Sequence, residues 1–246
     1  MKIGFKFNKK MFFALLAFVL VLTLVFVVYS ANKTQEKYEN AEKYKEFVDV
    51  TEEKSKNKID FESLQTANPD VYAWIEIPDT EISYPMLRSE EEDFYLTHNA
   101  DKQKSTYGAI YTQSYNNASF DDFNTIIYGH NKQNGSMFGS LKNYRDQKFY
   151  ESHRIINIYT PEQKFTYKVF AVYNNDDSHI LLSNDFSDMA VRRKYISDIG
   201  SGKKGGNVDS EIELTEHSKI ITLSTCTTPR TKRLLVQAVL TDVENY

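Results

Sequence analysis

Nineteen consecutive residues, Met11 to Tyr29, carry no charge, and Thr23 is their only polar interruption. As a helix rising about 1.5 Å per residue, this run reaches roughly 28 Å, close to the hydrocarbon thickness of a bilayer. A retained membrane anchor and a cleaved secretory signal both begin this way. The apolar core of a signal is usually about 7–15 residues, and Tyr29-Ser30-Ala31 makes a poor cleavage site, so the anchor is the expectation. Lys2, Lys6, Lys9 and Lys10 precede the run, and no acidic residue occurs before Glu36. The positive-inside rule then keeps the N-terminus in the cytoplasm and exports everything after Ser30.

Composition bounds what the exported part can be. Without the four N-terminal lysines, 26 basic residues face 34 acidic ones, a balance of about −8 that argues against nucleic acid as a partner. The chain has one cysteine, so no internal disulfide can form. Stability has to come from a buried core, and the nearly 190 residues after residue 58 are enough to build one.

Four segments follow: a cytoplasmic N-terminus over 1–10, an anchor over 11–29, a helical stalk or extension over 30–58, and a folded domain over 59–246. Residues 31–58 are highly charged and contain neither Gly nor Pro, which suits a solvated helix lifting the domain off the membrane. The same segment could instead pack on the domain through Tyr38, Tyr44, Phe47 and Val48. From residue 59 onward, short runs rich in Ile, Val, Tyr, Phe and Thr alternate with turn residues. They predict strands over Tyr72–Ile77, Ile82–Leu87, Gly108–Thr112, Thr125–Tyr128, Arg154–Tyr159, Phe165–Tyr173, Lys219–Thr225 and Leu234–Thr241. Eight such runs in one domain predict a mainly β barrel or sandwich. Helical insertions are expected at Ser136–Tyr144 and Ser187–Ile199, and the Gly-rich stretch from Gly200 to Gly206 reads as a linker.

The chemistry centres on Cys226, at the end of Thr222-Leu223-Ser224-Thr225-Cys226. A lone cysteine is often a small buried hydrophobe, but this one lies where its strand runs out toward a loop, a place where a side chain is both held and reached. An unperturbed thiol is only about 3% thiolate at pH 7, so a nucleophilic cysteine needs a histidine or a cation beside it. The candidate histidines are His98, His130, His153, His179 and His217. His153 and His217 sit among polar residues, His179 follows a turn, and His98 follows an aromatic segment. His130 is preferred because it ends a β-branched strand through Tyr128-Gly129, where the glycine allows close approach. Two arginines compete for the third place. Arg230 lies in the loop, whereas Arg233 opens the next strand and returns beside Cys226 if the two strands pair antiparallel. A donor fixed in that way can stabilise an oxyanion without reorganising, which favours Arg233.

Thr222-Leu223-Ser224-Thr225-Cys226, Arg233 seven residues on, and Tyr128-Gly129-His130-Asn131 upstream together resemble the sortases. Gly135-Ser136-Met137-Phe138-Gly139-Ser140-Leu141 and the stretch from Phe149-Tyr150 to Tyr159-Thr160 match as well. The helix expected ahead of the cysteine strand and the N-terminal helical extension are similar to class B. The resemblance implies an eight-stranded sortase barrel with helical insertions, one transmembrane helix, and a Cys-His-Arg transpeptidase of His130, Cys226 and Arg233. It further implies cleavage of a C-terminal motif, broadly Asn/Ser-Pro-X-Thr-Gly/Asn, in secreted proteins. The Thr carbonyl would then pass to an amine of a peptidoglycan cross-bridge or its lipid-linked precursor. Leu96, Tyr195, Ile196 and Ser224 are implied as lining the peptide groove, each being equally a candidate packing residue. No cofactor or metal is implied. A cysteine hydrolase and a membrane-tethered binding module with an inert thiol are the rival readings.

Overall fold

The structure, a computed structural model, describes residues 9–42, 44, 47–48, 58–201, 206–226 and 232–246. Contacts divide the chain into two units, Met1–Glu46 and Phe47–Tyr246. In the first, α1 (Lys9–Glu42) is one continuous helix. Its stretch Phe12–Ala31 is long and apolar enough to cross a membrane. Phe13, Leu24 and Phe26 are 64, 65 and 70% exposed. A helix apolar all round has no single stripe to bury against a small core, which suits lipid better than water. The side chain of Tyr38 and most of residues 43–57 lie outside the described residues. Phe47 and Val48 belong to the second unit, where the Phe47 carbonyl accepts from the Asp60 amide at 3.0 Å and Val48 bridges Ile59.

The second unit is built on nine strands: β1 (Val71–Glu76), β2 (Ser83–Arg88), β3 (Ile110–Thr112), β4 (Asn124–Tyr128), β5 (Ile155–Tyr159), β6 (Gln163–Asp176), β7 (Asn207–Val208), β8 (Ile220–Cys226) and β9 (Lys232–Asn245). Neighbours run β5-β1-β2-β3-β4-β8-β9-β6, and β5 pairs with β6 to close an eight-stranded barrel. β2–β3 and β4–β8 are parallel, and the other pairs are antiparallel. All eight expected strands are present. β6 and β9 run longer than their apolar stretches because a backbone ladder continues through polar residues, as in Lys164↔Glu244 and Asp176↔Lys232. The two-residue β7 adds to β6 at Ala171 and Val172.

Around the strands lie α2 (Phe61–Ala67), α3 (Phe94–Thr97), α4 (Gln147–Ser152), α5 (Ile180–Ser183) and α6 (Met189–Gly200). α6 is the helix expected from Met189, Ile196 and Ile199, and Asp188 caps it by accepting from the Ala190 amide at 2.7 Å. The segment expected as a helix at 136–144 forms a 3-10 helix, Gly139–Arg145. Residues 202–205 of the expected linker lie outside the described residues.

The strand period of two sorts side chains into two cores. Ile127 of β4, Ile221 and Leu223 of β8, and Leu234 and Val236 of β9 fill the barrel. Their alternates Ile126, Ile220, Leu235 and Val239 face outward into a second core, closed by Phe186, Tyr195 and Ile199 from the β6–β7 connection. Cys226 shares the outward face with Ile220, two-residue steps away along β8, as Arg233 does with Leu235 on β9. The site therefore grows out of the end of the second core rather than the barrel interior.

Arg154 ties the segment that follows β7 to the barrel. It donates to the Val169 carbonyl from Nε (3.2 Å) and Nη2 (2.8 Å), and it also pairs with Asp209. The hydrogen bond from Arg154 holds the Asp209 carboxyl below its ordinary value of 3.8. A depressed carboxylate contributes stability above its unfolded pKa and loses it as pH falls through the folded one. Asp209→Asn should therefore lower stability by about 1 kcal/mol at pH 7. That deficit should shrink progressively as pH falls below 3.8, as read by urea unfolding at several pH values.

Candidate active site

Cys226 and Arg233 are held by register. β8 and β9 pair antiparallel with Cys226 directly opposite Arg233, and β6 flanks the arginine from its other side through Asn175. The result is a guanidinium with Nη1 donating to Cys226 Sγ at 2.7 Å. Both residues are half-buried, and Arg230 lies outside the described residues.

His130 arrives from β4. β4 runs parallel to β8 with Tyr128 beside Ser224, and the Gly129 amide donates to the Ser224 carbonyl at 3.2 Å. Gly129 has no substitute here, because a Cβ would stand 2.6 Å from both Ile110 Cδ1 and the Phe138 ring. Gly108, at φ +56°, clears the other side: a Cβ there would lie 2.9 Å from His130 Cδ2. The imidazole Nε2 lies 2.6 Å from the Leu96 carbonyl. A carbonyl only accepts, so Nε2 carries a proton. Asn131 adds a tether, its Nδ2 donating to the Cys226 carbonyl at 2.7 Å.

Leu96, His130, Ser224, Cys226 and Arg233 line one cleft of about 140 Å³. Tyr111 and Tyr128 stack beside it with centroids 5.4 Å apart. Burial, reinforced by the charge of Asp93, pushes both phenols well above the ordinary tyrosine range, against an opposing pull from Arg233. They stay neutral and leave the arginine's charge to the sulfur.

The structure does not bring every expected groove residue here. Tyr195 and Ile196 sit on α6 and pack in the second core. The Tyr195 hydroxyl accepts from Gln237 at 2.8 Å and Asn124 at 3.3 Å, within a buried polar network that includes Thr222. The reason is geometric: α6 lies across the outward faces of β4, β8 and β9 below their ends, so its inward residues meet the strand middles. The cleft instead takes its wall from the end of β6 and the residues just after it, including Asp176, His179 and Ile180. Asp93 and Gln113 also line it. The signal for these was a polar run, Asn174-Asn175-Asp176-Asp177-Ser178-His179, directly following a strand end. His98 stacks on Phe94 with centroids 4.1 Å apart and bonds the Phe94 carbonyl at 2.9 Å, so it is spent within α3. His153 stacks likewise on Phe149, and His217 is exposed.

Residues 75–241 match the sortase domain family. Sortase B of Listeria monocytogenes is 35% identical over 167 residues, spanning 68% of this chain and 67% of that protein. The chain belongs to the sortase family, class B. Sortase B of Staphylococcus aureus is 28% identical over 243 residues, spanning 95% of this chain and 98% of that one. Among solved structures, Clostridium perfringens sortase B superposes with a TM-score of 0.67 at 32% identity, covering 74% of this chain and 100% of that one. A Staphylococcus aureus sortase B–substrate complex superposes with a TM-score of 0.74 at 27% identity, covering 86% and 99%. The eight-stranded barrel is the sortase fold, and the enzyme is a cysteine transpeptidase of the cell-wall sorting kind.

Proposed function

We propose that Cys226, His130 and Arg233 are the catalytic residues, and that the enzyme transfers the Thr carbonyl of a C-terminal sorting motif to a peptidoglycan amine. The observation that carries this reading is the 2.7 Å contact between Arg233 Nη1 and Cys226 Sγ in an open cleft that also holds His130. In the first step Sγ attacks the Thr carbonyl carbon, and the carbonyl π electrons move to oxygen. Arg233 lies beside the sulfur, and therefore beside the oxyanion that develops there. The intermediate collapses by breaking the Thr–Gly or Thr–Asn C–N bond. The departing nitrogen takes a proton from imidazolium, leaving a thioester. An amine of the cross-bridge, or of its lipid-linked precursor, then attacks the thioester and gives a proton back to His130. The thiolate leaves, and a new amide has formed.

Leu96 and Ser224 line the cleft and serve as groove residues in this reading. The apolar stretch over residues 11–29 anchors the enzyme in the cell membrane, with residues 1–10 cytoplasmic, 30–58 as a helical extension and the catalytic domain from residue 59 outside the cell.

The test uses the full-length enzyme in detergent with a sorting-motif peptide, with and without an amine acceptor. A thioester adduct on Cys226 by mass spectrometry, together with product that contains the acceptor, is the expected outcome. Release by water alone, unaffected by any amine, would replace transpeptidation with hydrolysis. Arg233→Lys should lower kcat/KM about a hundredfold, since a lysine ammonium cannot reproduce a planar donor set fixed beside both sulfur and oxyanion. Stopped peptide-cleavage assays at saturating amine would measure this.

A further inference from the structure

The cleft floor is formed by β4, β8 and β9, while Asp93 and Leu96 stand on the β3 side and residues 175–180 leave from β6. From β6 to β3 is four strand spacings, about 15–20 Å across the outward face. The segment after β6 nonetheless reaches the β3 side, where His179 Nε2 meets Gln113 Oε1 at 2.7 Å, just beyond β3. Residues 177–183 thus arch over the floor and are pinned at the far side. The pin is directional. His179 Nδ1 accepts from the Leu182 amide at 3.2 Å at the start of α5, so Nε2 holds the proton and donates to the glutamine. Gln113 is buried and donates onward from Nε2 to Asp93 Oδ1 at 3.0 Å, which also accepts from the Tyr111 hydroxyl at 2.9 Å. Asp93, at φ 56°, directly precedes α3, the helix whose Leu96 carbonyl receives His130. The Tyr115 ring meets the imidazole edge-on at 5.2 Å.

We propose that His179 and Gln113 are positioning residues that clamp the arch to the β3 side and hold the peptide groove preformed over Cys226. This rests on the reading of the cleft as the sorting-peptide site. A preformed wall spares the peptide the cost of ordering it, so the clamp acts on binding rather than on bond making. Asp93 keeps its Tyr111 bond when Gln113 is lost, so the α3 support of His130 survives.

The test measures kcat and KM for a sorting-motif peptide with the full-length enzyme, and peptide affinity in a Cys226→Ala background by fluorescence anisotropy. His179→Ala and Gln113→Ala should each raise KM about fivefold, weaken Kd by the same factor and leave kcat within about twofold, the scale expected when the hydrogen bond that pins the arch is lost. The losses in the double variant should be clearly less than multiplicative, because both single variants remove the bond between His179 and Gln113. His179→Gln, whose amide can still donate to Gln113, should restore KM to within about twofold. His179→Phe keeps the ring packing on Tyr115 and loses both nitrogen bonds, so it should match His179→Ala even if the alanine variant folds poorly. Unchanged KM and Kd in His179→Phe and Gln113→Ala would overturn the clamp, as would multiplicative losses in the double variant. A wild-type enzyme that turns over no sorting peptide would instead defeat the assignment of the cleft itself.

Discussion

Cys226→Ala is expected to abolish the acyl-enzyme and to cut transpeptidation by at least about a thousandfold, because no other group in the cleft can replace the covalent step. Ser224, the nearest hydroxyl-bearing side chain on the outward face of β8 among the described residues, is buried within the sheet two residues earlier. Fold and stability should survive. The thiol is half-buried at a strand end, and the β8–β9 ladder that holds it is made by backbone rather than by the side chain. Intact-mass spectrometry after incubation with a sorting peptide, alongside a thermal melt, separates the two effects. A normal melt with no adduct supports the nucleophile. An adduct of unchanged mass on the alanine variant would show that another residue carries the acyl group.

His130→Ala should lower kcat about a thousandfold, within the range found for general acid–base groups, while peptide affinity changes little. His130→Gln makes the decisive comparison. A glutamine amide can still donate to the Leu96 carbonyl, the bond made by Nε2 at 2.6 Å, but it cannot carry a proton to a leaving amine. If His130 only positions α3 against the cleft, the glutamine variant recovers most of the rate. If it moves the proton, glutamine is as slow as alanine. Single-turnover measurement of thioester formation, apart from its resolution by amine, shows which half-reactions suffer. The expected result is that both do, since the same imidazole gives a proton in the first and takes one in the second.

The strands were legible because β-branched and aromatic residues alternate with turn residues, and that local chemistry decides pairing-competent segments by itself. The short helices were not. α3, with four residues, and α5, also with four, are too brief to show a 3.6-residue period; α5 is set by its His179 cap and α3 by the burial of Tyr95 against the barrel. That gap matters, because these two turns form the walls of the cleft. The mismatch at Tyr195 and Ile196 has the same origin. Helical spacing on α6 marks which residues face inward, but where along the sheet they land depends on how the β6–β7 connection crosses it.

Sequence alone determined the apolar N-terminal helix, the eight barrel strands and the facing pair of Cys226 and Arg233. Each of these depends on neighbours close in the chain: a continuous apolar run, an alternating pattern, or two strands joined by a short loop. Sequence favoured His130 over His98 only through the glycine at its strand end, and tertiary structure supplied the separation that local pattern lacked. Only the parallel pairing of β4 with β8 places one beside Cys226, while stacking on Phe94 consumes the other. It also brought His179 to Gln113 and Asp93, residues 66 and 86 positions away in the chain. No local propensity encodes such a meeting. It comes from closing the barrel and laying the β6–β7 connection over strands distant in sequence.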